Sequence, residues 1–86
     1  MHTVELLDQA LEVARQLGYR IRHDWLGGSG GGWCLIKGEK WLFLDLALTP
    51  FEQLSLVADA VRGDPGLAQI DMIPELRAYL EVRRSA

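Results

Sequence analysis

The stretch Trp33–Asp45 reads WCLIKGEKWLFLD and decides the fold. It holds two runs of strand length, residues 33–37 and 41–46, and the Gly-Glu pair between them is typical of a tight turn. The second run is apolar on both faces, as are strands that lie in the middle of a sheet or are covered on both sides. We therefore predict two antiparallel strands joined by a short turn.

A further strand is predicted upstream, over residues 19–25 (YRIRHDW), where the chain alternates between two faces. Ile21 and His23 share one face, and Arg20 and Arg22 share the other. Because the connections between the three strands are short, the sequence predicts an antiparallel three-stranded meander.

The segment between the first two strands, residues 27–32, reads GGSGGG. A phosphate-binding loop needs a lysine, a hydroxyl residue and a helix N-terminus after its glycines, whereas here Trp33 and a strand follow. We interpret the segment as a mobile hairpin connection. The alternative is a loop that lets a ligand or partner approach the backbone closely.

Three helices are predicted around the strands. Apolar residues recur at three- and four-residue spacing over residues 4–17, and Gly18 is suited to a left-handed cap. A capping box, TPFE at residues 49–52, opens the second helix, and the breaker GDPG at residues 63–66 ends it. The third helix is predicted over residues 74–84.

We expect one small α+β domain over residues 1–86. Its predicted architecture is a helix, a three-stranded antiparallel meander, and then two helices, with the helices packed on one face of the sheet.

Composition excludes several functions. The chain has 9 basic and 12 acidic residues, a net charge of −3, which argues against general nucleic-acid binding. Its single cysteine allows no internal disulfide and fits a reducing compartment. The N-terminal residues are amphipathic and carry acids, unlike a secretion signal, and the longest apolar run is too short to span a bilayer. We expect a cytoplasmic protein without membrane contacts.

Side chains that could carry chemistry are few. His2, His23 and Cys34 lack the spacing of metal ligands, so no metal or cofactor is expected. Asp45 interrupts the apolar third strand, and we expect its carboxylate to hydrogen-bond local backbone and arrange the turn before Thr49.

One alternative is a thiol-dependent enzyme or factor. Cys34 and His23 flank the glycine segment, and a hairpin could bring them together as nucleophile and base. No motif supplies a third, orienting group. A lone cysteine on a strand is usually a small buried apolar residue, and we expect His23 to be packed or half-buried. We favour a protein that is not an enzyme.

Another alternative is a surface that binds an anionic ligand or nucleic acid. Arg20, Arg22 and Lys37 could form a modest basic patch, and Trp25 and Trp33 lie close to them in sequence. Arginine and tryptophan are enriched together at interfaces, so these five residues are the candidate binding residues. We favour the competing interpretation, a solvated sheet face with tryptophans that fill a thin core, because small domains depend on aromatic residues for burial.

The segments LGYRIR, GGGWCLIKGEKWLFLD and TPFEQL, within residues 17–61, resemble a group of short bacterial proteins of unknown function. This resemblance implies no activity and no catalytic residue. A chain of this length has a thin core, and its apolar third strand needs cover. We therefore expect a binding domain that recognises a protein partner or forms a homodimer.

Overall fold

The predicted order of helix, three strands and two helices is confirmed. The computed structural model describes residues 3–85, and the side chains of residues 3–81. The elements are α1 (Thr3–Gln16), β1 (Arg20–Asp24), β2 (Gly31–Ile36), β3 (Glu39–Asp45), α2 (Pro50–Arg62) and α3 (Pro74–Ser85), with a short 3₁₀ helix over Pro65–Gln69 between the last two helices.

The sheet is mixed, so the predicted antiparallel meander is wrong. Among the described residues the strand order is β1-β3-β2, with β1 parallel to β3 and β2 antiparallel to it. Strands β1 and β2 are therefore not neighbours. The glycine segment is not a hairpin connection, because it carries the chain past the end of β3 from one edge of the sheet to the other.

The physical reason for this order is the composition of β3. Residues 41–44 are apolar on both faces, and only the central position gives β3 a neighbouring strand on each side. The connection over residues 25–30 has to span two strand spacings, roughly 10 Å, which six residues cover easily. Connection length alone therefore did not force β1 and β2 to pair.

The core lies between one face of the sheet and the helices. Leu42 and Leu44 of β3 are fully buried in a cluster with aliphatic side chains of all three helices. Trp41 and Phe43 alternate with these leucines and point to the opposite face, which is half-exposed. The prediction that tryptophans fill the core is wrong, because the buried cluster is built from Leu, Val, Ala and Tyr19.

The predicted helix boundaries have clear local causes. Thr49 and Glu52 form the capping box at the start of α2, as predicted. Gly18 has a φ of 96° just after α1, which confirms its left-handed conformation. The tight turn between β2 and β3 lies at Lys37 and Gly38, one residue earlier than predicted. Within residues 3–85, no helix combines the length and the apolar character needed to cross a membrane.

Candidate functional site

Strand β2 leaves one of its two edges unpaired in the sheet. It pairs with β3 on one side, and no other strand of the described residues 3–85 pairs with it. Its sequence, GGWCLI, contains no charged residue and no proline. Trp33, Leu35 and Ile36 are 51, 62 and 41% exposed. This edge thus lacks the charges and prolines that usually keep edge strands from pairing with other chains.

Two observations fix the hydrogen-bonding pattern between β2 and β3. The two-residue turn at positions 37–38 has positive φ at both residues, and such turns are closed by a hydrogen-bonded pair, here Ile36 and Glu39. Beyond the other end of β2, the Asp45 N–H donates to the Gly30 carbonyl at 3.3 Å. In this register, hydrogen-bonded pairs therefore fall on the even-numbered positions from 30 to 36.

The odd-numbered residues of β2 consequently direct their backbone away from β3. The N–H and C=O groups of Trp33 and Leu35 point to the free edge, where a further strand would find them. Their side chains lie on the helix side of the sheet, and those of Cys34 and Ile36 lie on the other side.

A cavity of about 300 Å³ adjoins the helix side of this edge. Its lining includes Trp33 and Leu35 of β2 together with Tyr19 and Lys40. The Tyr19 and Trp33 rings meet edge to face at 6.2 Å. The Tyr19 hydroxyl donates to the Ala60 carbonyl at 3.4 Å, which ties Tyr19 to α2.

A partly buried ion pair supports the same cavity. The Lys40 ammonium lies 2.5 Å from an Asp64 carboxylate oxygen and 4.6 Å from the centre of the Tyr19 ring. The hydrogen bond from Lys40, together with one from the Gly66 N–H, lowers the pKa of Asp64 below its ordinary value. Burial raises the pKa of Tyr19. Lys40 thus contacts both the Tyr19 ring and the Asp64 carboxylate, and these two contacts fix its position beside the cavity.

Asp45 fixes the glycine segment to β3. Its buried carboxylate accepts hydrogen bonds from the backbone N–H groups of Ala47 at 2.9 Å, Leu26 at 3.2 Å and Gly30 at 3.3 Å. These bonds, led by that of Ala47, lower the pKa of Asp45. The hydrogen bond from the Ala47 N–H confirms the prediction that Asp45 bonds local backbone. Sequence reasoning missed its bonds to Leu26 and Gly30, although an acid inside an apolar strand was the signal.

The face of the sheet opposite the helices carries an aromatic pair. The rings of Trp41 and Phe43 stack at 5.7 Å, and the Arg20 guanidinium lies 5.8 Å from the centre of the Trp41 ring. Arg20 also donates to Glu39 at 2.9 Å. Arg20 therefore already has an acidic partner on this face.

Cys34 and His23 are not brought together. Strand β3 lies between them, with His23 opposite Leu44 and Cys34 opposite Trp41. Leu44 and Trp41 are three residues apart, so the two side chains also lie on opposite faces of the sheet. Both side chains are exposed. The expectations of a buried cysteine and of a packed or half-buried histidine are therefore wrong, and the hairpin that could have brought the two residues together does not form.

The five candidate binding residues do not form one patch. Arg20 and Arg22 lie on β1 at one edge of the sheet, and Trp33 lies on β2 at the other edge. Lys37 lies in the hairpin turn, and Trp25 follows β1 and is 72% exposed. Arg22 lies 3.5 Å from an Asp24 carboxylate oxygen, so it too has an acidic neighbour.

A second cavity, of about 360 Å³, lies where α2 meets α3. Arg62 donates from Nε to the Leu80 carbonyl and from Nη1 to Asp59. The buried Nη2 of Arg62 and the Tyr79 hydroxyl have no hydrogen-bond partner among the described residues. We interpret Arg62 as a link between the two helices, because its other donors bond protein groups.

No cluster of three or more His, Cys, Asp or Glu side chains suited to a metal ion occurs in the described part of the chain. Comparison of the chain with protein-family models, with curated proteins and with solved structures finds no match.

Proposed function

We propose that this protein is a small interaction domain that binds an extended protein strand at the free edge of β2. The observation that carries this proposal is an edge strand without charge or proline, with apolar side chains exposed on both faces. Proteins normally protect such edges, since unpaired N–H and C=O groups attract other strands. Addition of a strand to a sheet edge is a common mode of peptide recognition.

The edge offers both affinity and selectivity. The backbone groups of Trp33 and Leu35 supply hydrogen bonds to any extended segment. Their side chains and the adjacent cavity favour an apolar residue on the helix side of the added strand. Exposed Ile36 favours another on the opposite side. We therefore expect the bound segment to be apolar at most positions.

The edge is also held in place before binding. The hairpin turn fixes one end of β2 to β3, and the Asp45 carboxylate fixes Gly30 near the other end. A strand that is already ordered loses little conformational entropy when it binds a partner, which favours affinity.

Selection of peptides tests this proposal. A library of random peptides is selected on the immobilised protein, and the binders are then measured on Leu35→Pro. Proline at this position removes an N–H that points away from β3, so the β2–β3 hydrogen bonds remain. We expect apolar, strand-forming peptides whose affinity falls at least about tenfold on Leu35→Pro, while its circular dichroism is unchanged.

A substitution of similar exposed area provides the control. Val4 lies on α1 and is 54% exposed, close to the 62% of Leu35. The selected peptides should bind Val4→Lys as they bind the wild-type protein. A selection that yields only peptides whose affinity is unchanged on Leu35→Pro contradicts the proposal.

Anion or nucleic-acid binding through Arg20, Arg22 and Lys37 has less support. Arg20 lies against Glu39 and Arg22 against Asp24, so both guanidinium groups already have carboxylate neighbours. Retention on heparin with steep salt dependence would favour this alternative.

The thiol-dependent alternative loses the base on which it relied, since His23 lies beyond β3 from Cys34. Cys34 is exposed and free, and we keep the reducing cytoplasm as the proposed compartment for such a thiol.

A further inference from the structure

We infer that the strand bound at the free edge of β2 is β2 of a second copy of this chain, paired antiparallel about a two-fold axis that passes beside Cys34. This inference rests on the proposed function and names its partner. The result is a homodimer with one continuous six-stranded sheet.

The hydrogen-bonding pattern restricts the register of the two strands. Trp33 and Leu35 direct their backbone groups to the free edge, so each must face an odd-numbered residue of the second copy. Gly31 and Gly32 both have a positive φ, of 95° and 149°, so the regular part of the strand begins at Trp33. The register that uses only regular residues pairs Trp33 with Leu35 of the second copy, and the reverse, with four hydrogen bonds.

Side chains fit this register on both faces. On the helix side, Trp33 meets Leu35 of the second copy, and such aromatic–aliphatic pairs stabilise neighbouring strands. On the other side, Ile36 faces Gly32 of the second copy, where the missing side chain leaves room. Cys34 faces Cys34 of the second copy next to the axis.

Charge also favours a second copy in the antiparallel direction. Residues 31–36 are uncharged, so two copies of this strand meet without like-charge repulsion. Lys37 is the charged residue next to β2 along the chain. Antiparallel pairing puts the two Lys37 residues at opposite ends of the interface, whereas parallel pairing would put them side by side.

Sedimentation velocity of the full chain over a wide concentration range tests the dimer. We expect the wild-type chain and Val4→Lys to dimerise equally. Leu35→Pro removes one donor per copy, and Leu35→Lys puts a cation at the shared edge, so each should raise the dimer Kd about tenfold or more. The inference is overturned if the wild-type chain stays monomeric, or if both Leu35 variants dimerise with the wild-type Kd.

Disulfide formation tests the register. Residues opposite each other at a non-hydrogen-bonded position have Cα atoms about 4.5 Å apart, within the range of disulfides. With oxidised glutathione as oxidant, two Cys34 thiolates displace two molecules of glutathione in successive exchange steps, leaving one intermolecular disulfide. We expect a covalent dimer in the wild-type chain at a rate that Leu35→Lys lowers at least about tenfold. Equal rates in the two proteins contradict the register.

The peptide selection and the sedimentation experiment separate the two proposals. If peptides bind in a Leu35→Pro-sensitive manner but the wild-type chain is a monomer, the second copy is the wrong partner and the proposed function stands. If neither peptides nor a second copy bind at β2, both proposals fail.

Discussion

Strand β1 forms one edge of the sheet and carries charged side chains, whereas β2 forms the other edge and carries apolar ones. Along β1, Arg20 bonds Glu39 and Arg22 lies against Asp24. Along β2, no residue is charged, and Trp33 is half-exposed. Both strands pair with the same central strand, β3, so they differ in their own side chains and not in the strand beside them.

This difference decides at which edge of the sheet a further strand can pair. Charged residues on an edge strand oppose pairing because a second strand would remove them from water. The β1 edge is therefore protected and the β2 edge is available. Because the sheet has one available edge, association through it ends at a dimer instead of continuing into a fibre.

The largest expected effect comes from the strand that both edges share. Leu44 is fully buried in β3, so Leu44→Ala should lower the free energy of unfolding by about 2–5 kcal/mol. Urea denaturation measures this loss. The control is Leu35→Ala, which truncates an exposed leucine and should stay within about 0.5 kcal/mol for the monomer. Equal losses would mean that β3 is not the common support.

The position of β3 also shows what the sequence could predict about the fold. The apolar character of residues 41–44 on both faces indicated a central strand, and the short connections indicated a meander that leaves this strand at an edge. The two indications conflict, and the central position prevails: it lets the backbone N–H and C=O groups of β3 pair with a strand on each side. Local signals such as the capping box at Thr49 needed no such choice.

The next effect concerns the chain as it enters β2. A Cβ at Gly31 would lie 2.1 Å from the Phe43 carbonyl oxygen, and Gly31 also has a positive φ. Gly31→Ala should therefore destabilise the protein by more than about 2 kcal/mol, since the strain of a left-handed residue adds to a clash with backbone. Thermal denaturation measures the change.

Gly28 provides the matched control for that substitution. It also has a positive φ, but a Cβ there meets nothing within 4 Å. Gly28→Ala should cost only the backbone strain, about 1–2 kcal/mol. If the two variants lose equal stability, the close approach of Gly31 to the Phe43 carbonyl is not the reason that position 31 requires glycine.

A smaller effect is expected from the anchor of the glycine segment. Asp45→Asn replaces an acceptor oxygen with an NH₂ group that cannot accept from backbone N–H groups, so the Leu26 and Gly30 amides should exchange faster with solvent. Hydrogen exchange measures this. Protection that is unchanged at both amides would contradict the anchoring role of Asp45.

The pH dependence of stability tests the same anchor. The folded chain lowers the pKa of Asp45 below its ordinary 3.8, so the folded state binds fewer protons than the unfolded state in this range. Stability is therefore fully present above about pH 5 and falls as the pH drops through 3.8 and below. Asp64 contributes with the same sign. Asp45→Asn should leave a shallower acid dependence in urea denaturation.

Less of the candidate site than of the fold could be predicted from the sequence. Trp33 is a binding candidate in the sequence because of its aromatic ring, but in the structure that ring meets Tyr19 and not an arginine of β1. Leu35 was not a candidate, because an apolar residue in an alternating strand is usually buried. Its exposure follows from the edge position of β2, which depends on strand order and cannot be read from local pattern.

The smallest effect on stability, and the sharpest test of the two edges, comes from making β1 resemble β2. Arg20→Val with Arg22→Val removes two exposed ion pairs, so the free energy of unfolding should change by no more than about 1 kcal/mol. The same double variant removes both cations from the β1 edge and leaves Asp24 as its acidic residue. Because each copy then has two available edges, association should continue beyond a dimer, and light scattering should rise with concentration. If the double variant stays in the wild-type oligomeric state, the charges of β1 do not protect its edge.

A triple variant separates the two edges. Adding Leu35→Lys to the double variant should block the β2 edge and leave association through β1 alone, which returns the protein to a dimer.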